Sequence, residues 1–170
     1  KTMARLGVES GNLDYREHAM IEKVLEFDDK TAGDVMTSKY KIVSLNGEVP
    51  FDQIAYFVAQ SGYSRYPVYE DNEDNIIGYV HVNDIMKKLK SDERDDLLKD
   101  NARPLQRIEA SFSIERLLRL FVSSQEHIAL VIRDEDKNEI IGLVTLEDVL
   151  EELVGERVDE TDDEEENGKL

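Results

Sequence analysis

The amino-acid sequence predicts an α/β (α+β) fold, made of two pseudo-symmetric β-α-β-β-α repeats packed as a pair. Three observations carry this. First, the chain matches itself at a shift of 64 residues without a gap. Phe57-Val58 falls on Phe121-Val122, Ile76-Ile77-Gly78 on Ile140-Ile141-Gly142, and Val80, Asp84 and Leu89 on Val144, Asp148 and Leu153. Those identities share one apolar pattern, so duplication explains them, and two copies suggest a pseudo-symmetric pair rather than an array. Second, apolar residues make up 40% of the 170, enough for a sizeable core. Third, the longest apolar runs, such as 128–132, have about five residues, against the roughly 20 that span a bilayer.

Taken in order, residues 1–14 lack periodicity and are expected to fray. Met20, Ile21, Val24 and Leu25 then put one apolar face on a helix over 15–27. Thr31 opens a short helix with Asp34 as its capping-box partner. Each repeat begins with a strand, over 41–44 and 105–108. In the first copy a helix follows with Pro50 in its first turn, Ile54, Phe57 and Val58 as its stripe and Gly62 as its stop. In the second copy Ser113 caps a helix whose stripe is Ile114, Leu117, Leu118, Phe121 and Val122. Strands rich in β-branched and aromatic residues follow at 66–69 and 128–132. Polar turns lead to third strands ending near Val80 and Val144, and closing helices run over 83–89 and 146–153. The expected organisation is an N-terminal segment and linker helix over 1–30, a first repeat over 31–90, a charged linker over 91–102, a second repeat over 103–155 and an acidic tail over 156–170.

Charge narrows the function. Asp and Glu number 39 against 21 Lys and Arg, a net charge of −18. Nucleic acid is a poor partner for such a chain, because phosphate binding needs clustered positive charge. A polybasic hold on anionic lipid is disfavoured for the same reason. With no cysteine, a disulfide scaffold, a thiol nucleophile and Cys-ligated metal are excluded. Residues 1–6 lack the apolar stretch of a signal peptide, and a start at Lys1 rather than Met suggests a soluble piece of something larger. The tail from Glu156 to Glu166 is a block of like charge, usually disordered, with a weak divalent-cation site as its sharper alternative but no EF-hand spacing. His18, His81 and His127 show no metal-ligand spacing, and no nucleophile elbow, P-loop or GxGxxG is present. Neither a catalytic constellation nor a metal site is expected.

The informative segment is Gly142-Leu143-Val144-Thr145-Leu146-Glu147-Asp148. A strand ends and Thr-x-x-Asp opens a helix. Thr145 and Asp148 can be an ordinary capping pair. The same geometry gathers free N–H groups and the positive helix end, which suits phosphate, and an aspartate one turn in can accept from a ribose diol. The first copy keeps Asp84 but carries His81 in place of the threonine, so the two candidate sites differ.

The duplication ending in Gly-φ-φ-Thr-x-x-Asp resembles a tandem pair of CBS (cystathionine-β-synthase-type) domains. Three segments narrow the match: Glu26–Thr37, Gly62–Tyr69 and Gly142–Glu152 with Gly155-Glu156. Together they resemble the cytosolic CBS pair of the CorC/CNNM (hemolysin-like) magnesium and cobalt transport proteins, over about residues 15–160.

This resemblance implies an adenine nucleotide (ATP, ADP or AMP, with or without magnesium) in a cleft between the repeats. It also implies a homodimer, and a cytoplasmic module regulating a membrane domain N-terminal to Lys1. Carried over by motif, Asp148 would hold the ribose hydroxyls and Thr145 the ribose or α-phosphate side. Ser64 and Arg65 would face the polyphosphate, Tyr63 and Pro67 would shape the wall, and Thr37 and Ile42 would border the adenine. Each has a plainer reading: Arg65 as a surface cation, Tyr63, Pro67 and Ile42 as core or turn residues, Thr37 as a turn cap. His127 reads as a packed histidine or a phosphate contact. Where the family has Pro-Arg after Met-Thr, this chain has Ser38-Lys39. A charge of −18 repels a polyanion, so magnesium or Arg65 must screen it locally. A dimerisation or interaction module without a nucleotide is the competing expectation.

Overall fold

The computed structural model describes residues 29–154. The helix expected over 15–27 and the acidic tail lie outside them. The elements in chain order are α1 (Ala32–Val35), β1 (Thr37–Ser38), a 3₁₀ turn (Lys39–Lys41), β2 (Leu45–Asn46), α2 (Phe51–Ser61), β3 (Arg65–Tyr69) and β4 (Ile76–His81). Then come α3 (Val82–Lys90), a 3₁₀ turn (Leu98–Asn101), β5 (Gln106–Glu109), α4 (Ile114–Ser124), β6 (Ile128–Ile132), β7 (Ile140–Thr145) and α5 (Leu146–Val154).

Both repeats build the same unit, a strand parallel to the next strand and a hairpin closing the sheet. In the first, β2 pairs with β3 in parallel and β3 with β4 antiparallel. In the second, β5 pairs with β6 in parallel and β6 with β7 antiparallel. The second sheet gains a fourth strand, because β1 pairs antiparallel with β7 through Thr37↔Leu143 and Ser38↔Gly142. The expected strand over 41–44 is displaced: the N–H of Ile42 turns back to the carbonyl of Lys39 at 3.3 Å, so it cannot join a ladder, and pairing starts at Leu45.

Helix ends follow their chemistry. Thr31 N–H donates to Asp34 Oδ2 at 2.9 Å, the capping contact expected of that pair. Pro50 sits one residue before α2, as its cap rather than in its first turn. Gly62 closes α2 at φ 74°, a left-handed conformation that costs glycine little, and Gln125 closes α4 at φ 57°. Ser113 Oγ accepts from the N–H of Arg116 at 3.3 Å.

These equivalences correct the gapless repeat. Phe51, Ile54 and Val58 are the buried face of α2, and Ile114, Leu117 and Phe121 that of α4, which is a shift of 63 residues. From β4 and β7 onward the shift is 64, because the second hairpin turn is one residue longer. Phe57-Val58 and Phe121-Val122 are therefore identical in letters but out of phase in space. Val58 and Phe121 are buried, while Phe57 and Val122 are 44% and 68% exposed.

Each repeat has its own core, and each core borrows from outside its run of sequence. Ala32 and Val35 pack with Ile114, Leu117, Phe121, Val144 and Val149 in the second core. Leu98, from the stretch read as a charged linker, is fully buried with Phe51, Tyr66 and Ile85 in the first. A third cluster of Ile76, Leu130, Ile132 and Ile140 draws on both repeats and joins them.

The β1–β7 contact depends on Gly142. A Cβ there would lie 2.7 Å from the carbonyl oxygen of Thr37 and would also collide with Met36. Overpacking of this kind costs about 1–3 kcal/mol. Gly142→Ala should lower the urea midpoint accordingly, and an unchanged midpoint would show that β1 contributes little to the fold.

Candidate functional site

A cavity of about 410 Å³ opens where β1, the start of β3 and the end of β7 meet. Sequence reasoning singled out eight residues, and the structure brings all eight onto its lining. Thr37 and Ile42 come from the N-terminal approach, Tyr63, Ser64, Arg65 and Pro67 from the first repeat, and Thr145 and Asp148 from the second. The β1–β7 ladder explains why Thr37 lies beside Leu143, also in the lining.

Buried Tyr66 positions the Gly62–Arg65 segment. Its hydroxyl receives the N–H of Tyr63 at 3.1 Å, lies 2.8 Å from Ser61 Oγ and reaches the carbonyl of Val58 at 3.3 Å. The ring of Tyr63 stands edge-on to it, with centroids 6.0 Å apart. One phenol thereby fixes the turn that presents Tyr63 and Ser64, while β3 carries Arg65 and Pro67 onward. The Arg65 side chain is only 17% exposed and its Nη1 lies 3.9 Å from Glu147 Oε1. It is a largely enclosed cation of the cleft rather than a loose surface charge.

Across the cleft, Thr145 and Asp148 form a full capping box. Thr145 N–H donates to Asp148 Oδ2 at 2.9 Å, and Asp148 N–H donates to Thr145 Oγ1 at 3.2 Å. The structural role of this motif is thus realised in the fold itself. It leaves chemical capacity, because a hydroxyl that accepts can still donate its own proton and a carboxylate can accept several hydrogen bonds.

Of the plainer readings, Pro67 is buried and Ile42 ends the 3₁₀ turn, yet both also line the cavity. His127 is half-buried and lines a different cavity. Lys41, Val43, Ile128, Leu143 and Glu147 line the first cavity and were missed by sequence reasoning. Glu147 stands in a variable position of Thr-x-x-Asp, and Lys41 was assigned to a strand, so neither carried a signal. The assembled set offers apolar walls, hydroxyls, two carboxylates (Glu147 and Asp148) and two cations (Lys41 and Arg65). It suits a ligand with a flat apolar part, vicinal hydroxyls and an anionic end. Among the described residues no group of three or more His, Asp or Glu is placed to hold a metal ion, and no helix is long and apolar enough to cross a membrane.

Comparison with known proteins agrees with this architecture. The CBS domain family model matches residues 32–91 and 98–155. The chain is 33% identical over 153 residues to the magnesium and cobalt efflux protein CorC of Pasteurella multocida (strain Pm70), covering 90% of this chain and 50% of that protein. It thus spans about half the length of that relative. A solved CBS domain of the bacterial CNNM/CorC family Mg2+ transporter is 26% identical with a TM-score of 0.81, covering 91% of this chain and 93% of the other. A structure of that domain in complex with ATP gives a TM-score of 0.76 at 26% identity, with coverage of 82% and 98%. With two matched copies and the duplicated sheet, the chain belongs to the CBS-domain family, as a tandem pair similar to those of the CNNM/CorC proteins.

Proposed function

We propose that this CBS pair is a regulatory module, not an enzyme, that binds an adenine nucleotide for a membrane magnesium or cobalt transporter. The observation that carries the reading is the single cavity of about 410 Å³ lined by all eight motif residues from both repeats. Its volume falls within the roughly 300–1,000 Å³ of small-molecule sites. The ATP complex of a similar CBS domain supports the choice of ligand. In this reading Ile42 and Thr37 border the adenine, Asp148 accepts from the ribose, and Thr145 donates toward the ribose or first phosphate. Ser64 and Arg65 face the polyphosphate beside Tyr63 and Pro67. Arg65 must leave Glu147 for the phosphates, or magnesium must screen them, because in a chain of net charge −18 the cavity lining offers only Lys41 as a further cation. Binding across two repeats regulates only through different affinities for two arrangements of the pair.

One observation favours a second reading, in which the pair serves self-association in the cytoplasm without a nucleotide. Among the described residues each of the four longer helices exposes a large apolar side chain: Tyr56 on α2, Met86 on α3, Val122 on α4, and Leu150 and Val154 on α5. A homodimer through helix faces fits either reading, and the ligand separates them.

Thermal melting with ATP, ADP or AMP, with and without magnesium, is the first check. A ligand that binds only the folded form adds about 2.7 kcal/mol at a hundredfold excess over Kd, so the midpoint must rise. No shift at millimolar nucleotide would leave the association reading. Calorimetry on Asp148→Ala should show adenosine ligands weakened by about 1–3 kcal/mol, and unchanged affinity would remove the ribose role. Thr145→Ala should also cost about 0.5–2 kcal/mol of ligand-free stability through the lost cap, so its affinity is compared on fully folded protein. Arg65→Gln should weaken ATP far more than adenosine, and equal losses would move Arg65 away from the phosphates. In sedimentation, Val122→Asp with Val154→Asp should convert a dimer to monomer if these faces pair.

A further inference from the structure

A second cavity, of about 250 Å³, is built from the equivalents of the elements that form the first. The end of β4 and the start of α3 stand where the end of β7 and the start of α5 stood, and the segment at Gln125–His127 stands in for Gly62–Ser64. The residues have changed. His81 replaces Thr145, His127 replaces Ser64, and Arg103 replaces Thr37. That last equivalence is set by the backbone: Thr37 pairs with Leu143 of β7, and Arg103 exchanges two hydrogen bonds, at 2.9 and 2.7 Å, with Tyr79 of β4.

We infer that this second cleft binds a compact oxyanion, with inorganic phosphate as its probe, rather than a nucleoside. The inference does not depend on the nucleotide reading of the first cleft. Asp84, the counterpart of Asp148, is already bonded to Arg103 Nη2 at 2.8 Å. A ribose diol would have to displace a charge-assisted pair, roughly twice as strong as a neutral hydrogen bond. Backbone bonds to Tyr79 anchor the Arg103 main chain beside β4, where Gly78 admits it so closely that a Cβ would collide with its carbonyl, so its side chain starts within reach of Asp84. The cavity lining itself carries three cations, Arg65, Lys87 and Arg103, and one carboxylate, Asp84.

Two further carboxylates stand near the lining. Glu126 Oε2 accepts from the hydroxyl of Tyr79 at 3.1 Å, and Glu147 faces Arg65 at 3.9 Å. His81 Nδ1 accepts from the N–H of Asn83 at 3.0 Å, so its neutral ring carries the proton on Nε2 as a donor. Burial holds the His81 pKa below its ordinary value, with Arg65, Arg103 and His127 lowering it further and Asp84 opposing them. An anion among those cations would reverse the shift.

The test is a histidine-ring NMR titration of the chain with sodium phosphate, against sodium chloride at matched ionic strength. Phosphate should move the His81 and His127 rings saturably and raise the titration midpoint of His81. Lys87 and Arg103 are both exposed, so Lys87→Gln and Arg103→Gln should fold and should each weaken the effect by about tenfold or more. Asp148→Ala should leave it unchanged. Equal shifts with chloride, a full response in the Lys87→Gln/Arg103→Gln double variant, or equal movement by adenosine would each overturn the inference. A phosphate response in a protein that binds no nucleotide would sink the function proposed above and leave this site standing.

Discussion

The apolar seam of Ile76, Leu130, Ile132 and Ile140 is what makes two small repeats into one pair. A unit of three or four strands and two helices buries one face of its sheet against its own helices. The other face needs a partner. Here the partner is the equivalent strand pair of the second copy, with Tyr69, Leu105 and Leu143 packed around it. Because the seam lies between hairpins, it sets the start of β3 near the end of β7 and the start of β6 near the end of β4. Two clefts follow from one packing choice.

A second constraint is the crossing of the segments that lead into each repeat. The segment before each repeat crosses to serve the other copy: α1 packs into the second core, β1 extends the second sheet, and Leu98 with Arg103 closes against the first. Gly142 and Gly78 are the matching points of approach, each lacking the Cβ that would push the crossing chain away. The crossing residue then decides the character of the cleft beside it. Thr37 is short and leaves room; Arg103 is long, charged and reaches the aspartate.

Electrostatics in this chain is a matter of placement rather than sum. Most ion pairs, such as Lys99–Glu48 at 2.6 Å, involve exposed carboxylates and contribute little individually. Arg65, by contrast, lines both clefts and is largely enclosed. Enclosure weakens solvent screening, so one guanidinium there influences an anion more than several lysines in open water. The capping box at Thr145 and Asp148 shows similar economy, since the groups that end a strand and start a helix are the groups a sugar-phosphate would meet.

Of the eight residues found around the cavity, Thr145 and Asp148 are legible in Thr-x-x-Asp and the other six follow from the resemblance to CBS pairs; the sequence alone determined the repeat, the order of its elements and most helix ends. Local chemistry sufficed for these: Thr31, Ser113 and Gly62 act within a few residues of themselves, and alternation or helical period is written along the chain. Only the tertiary structure decided the helix phase, the placement of Leu98 and the partner of Arg103. Whether Phe57 or Val58 turns inward depends on which face the sheet presents, and one extra residue in a distant hairpin turn is invisible when letters happen to match. Arg103 reads as one more charge in a charged stretch until an antiparallel bridge to Tyr79 puts it beside Asp84. Contacts between residues far apart in sequence are set by packing, and packing is a property of surfaces that exist only once the chain has folded.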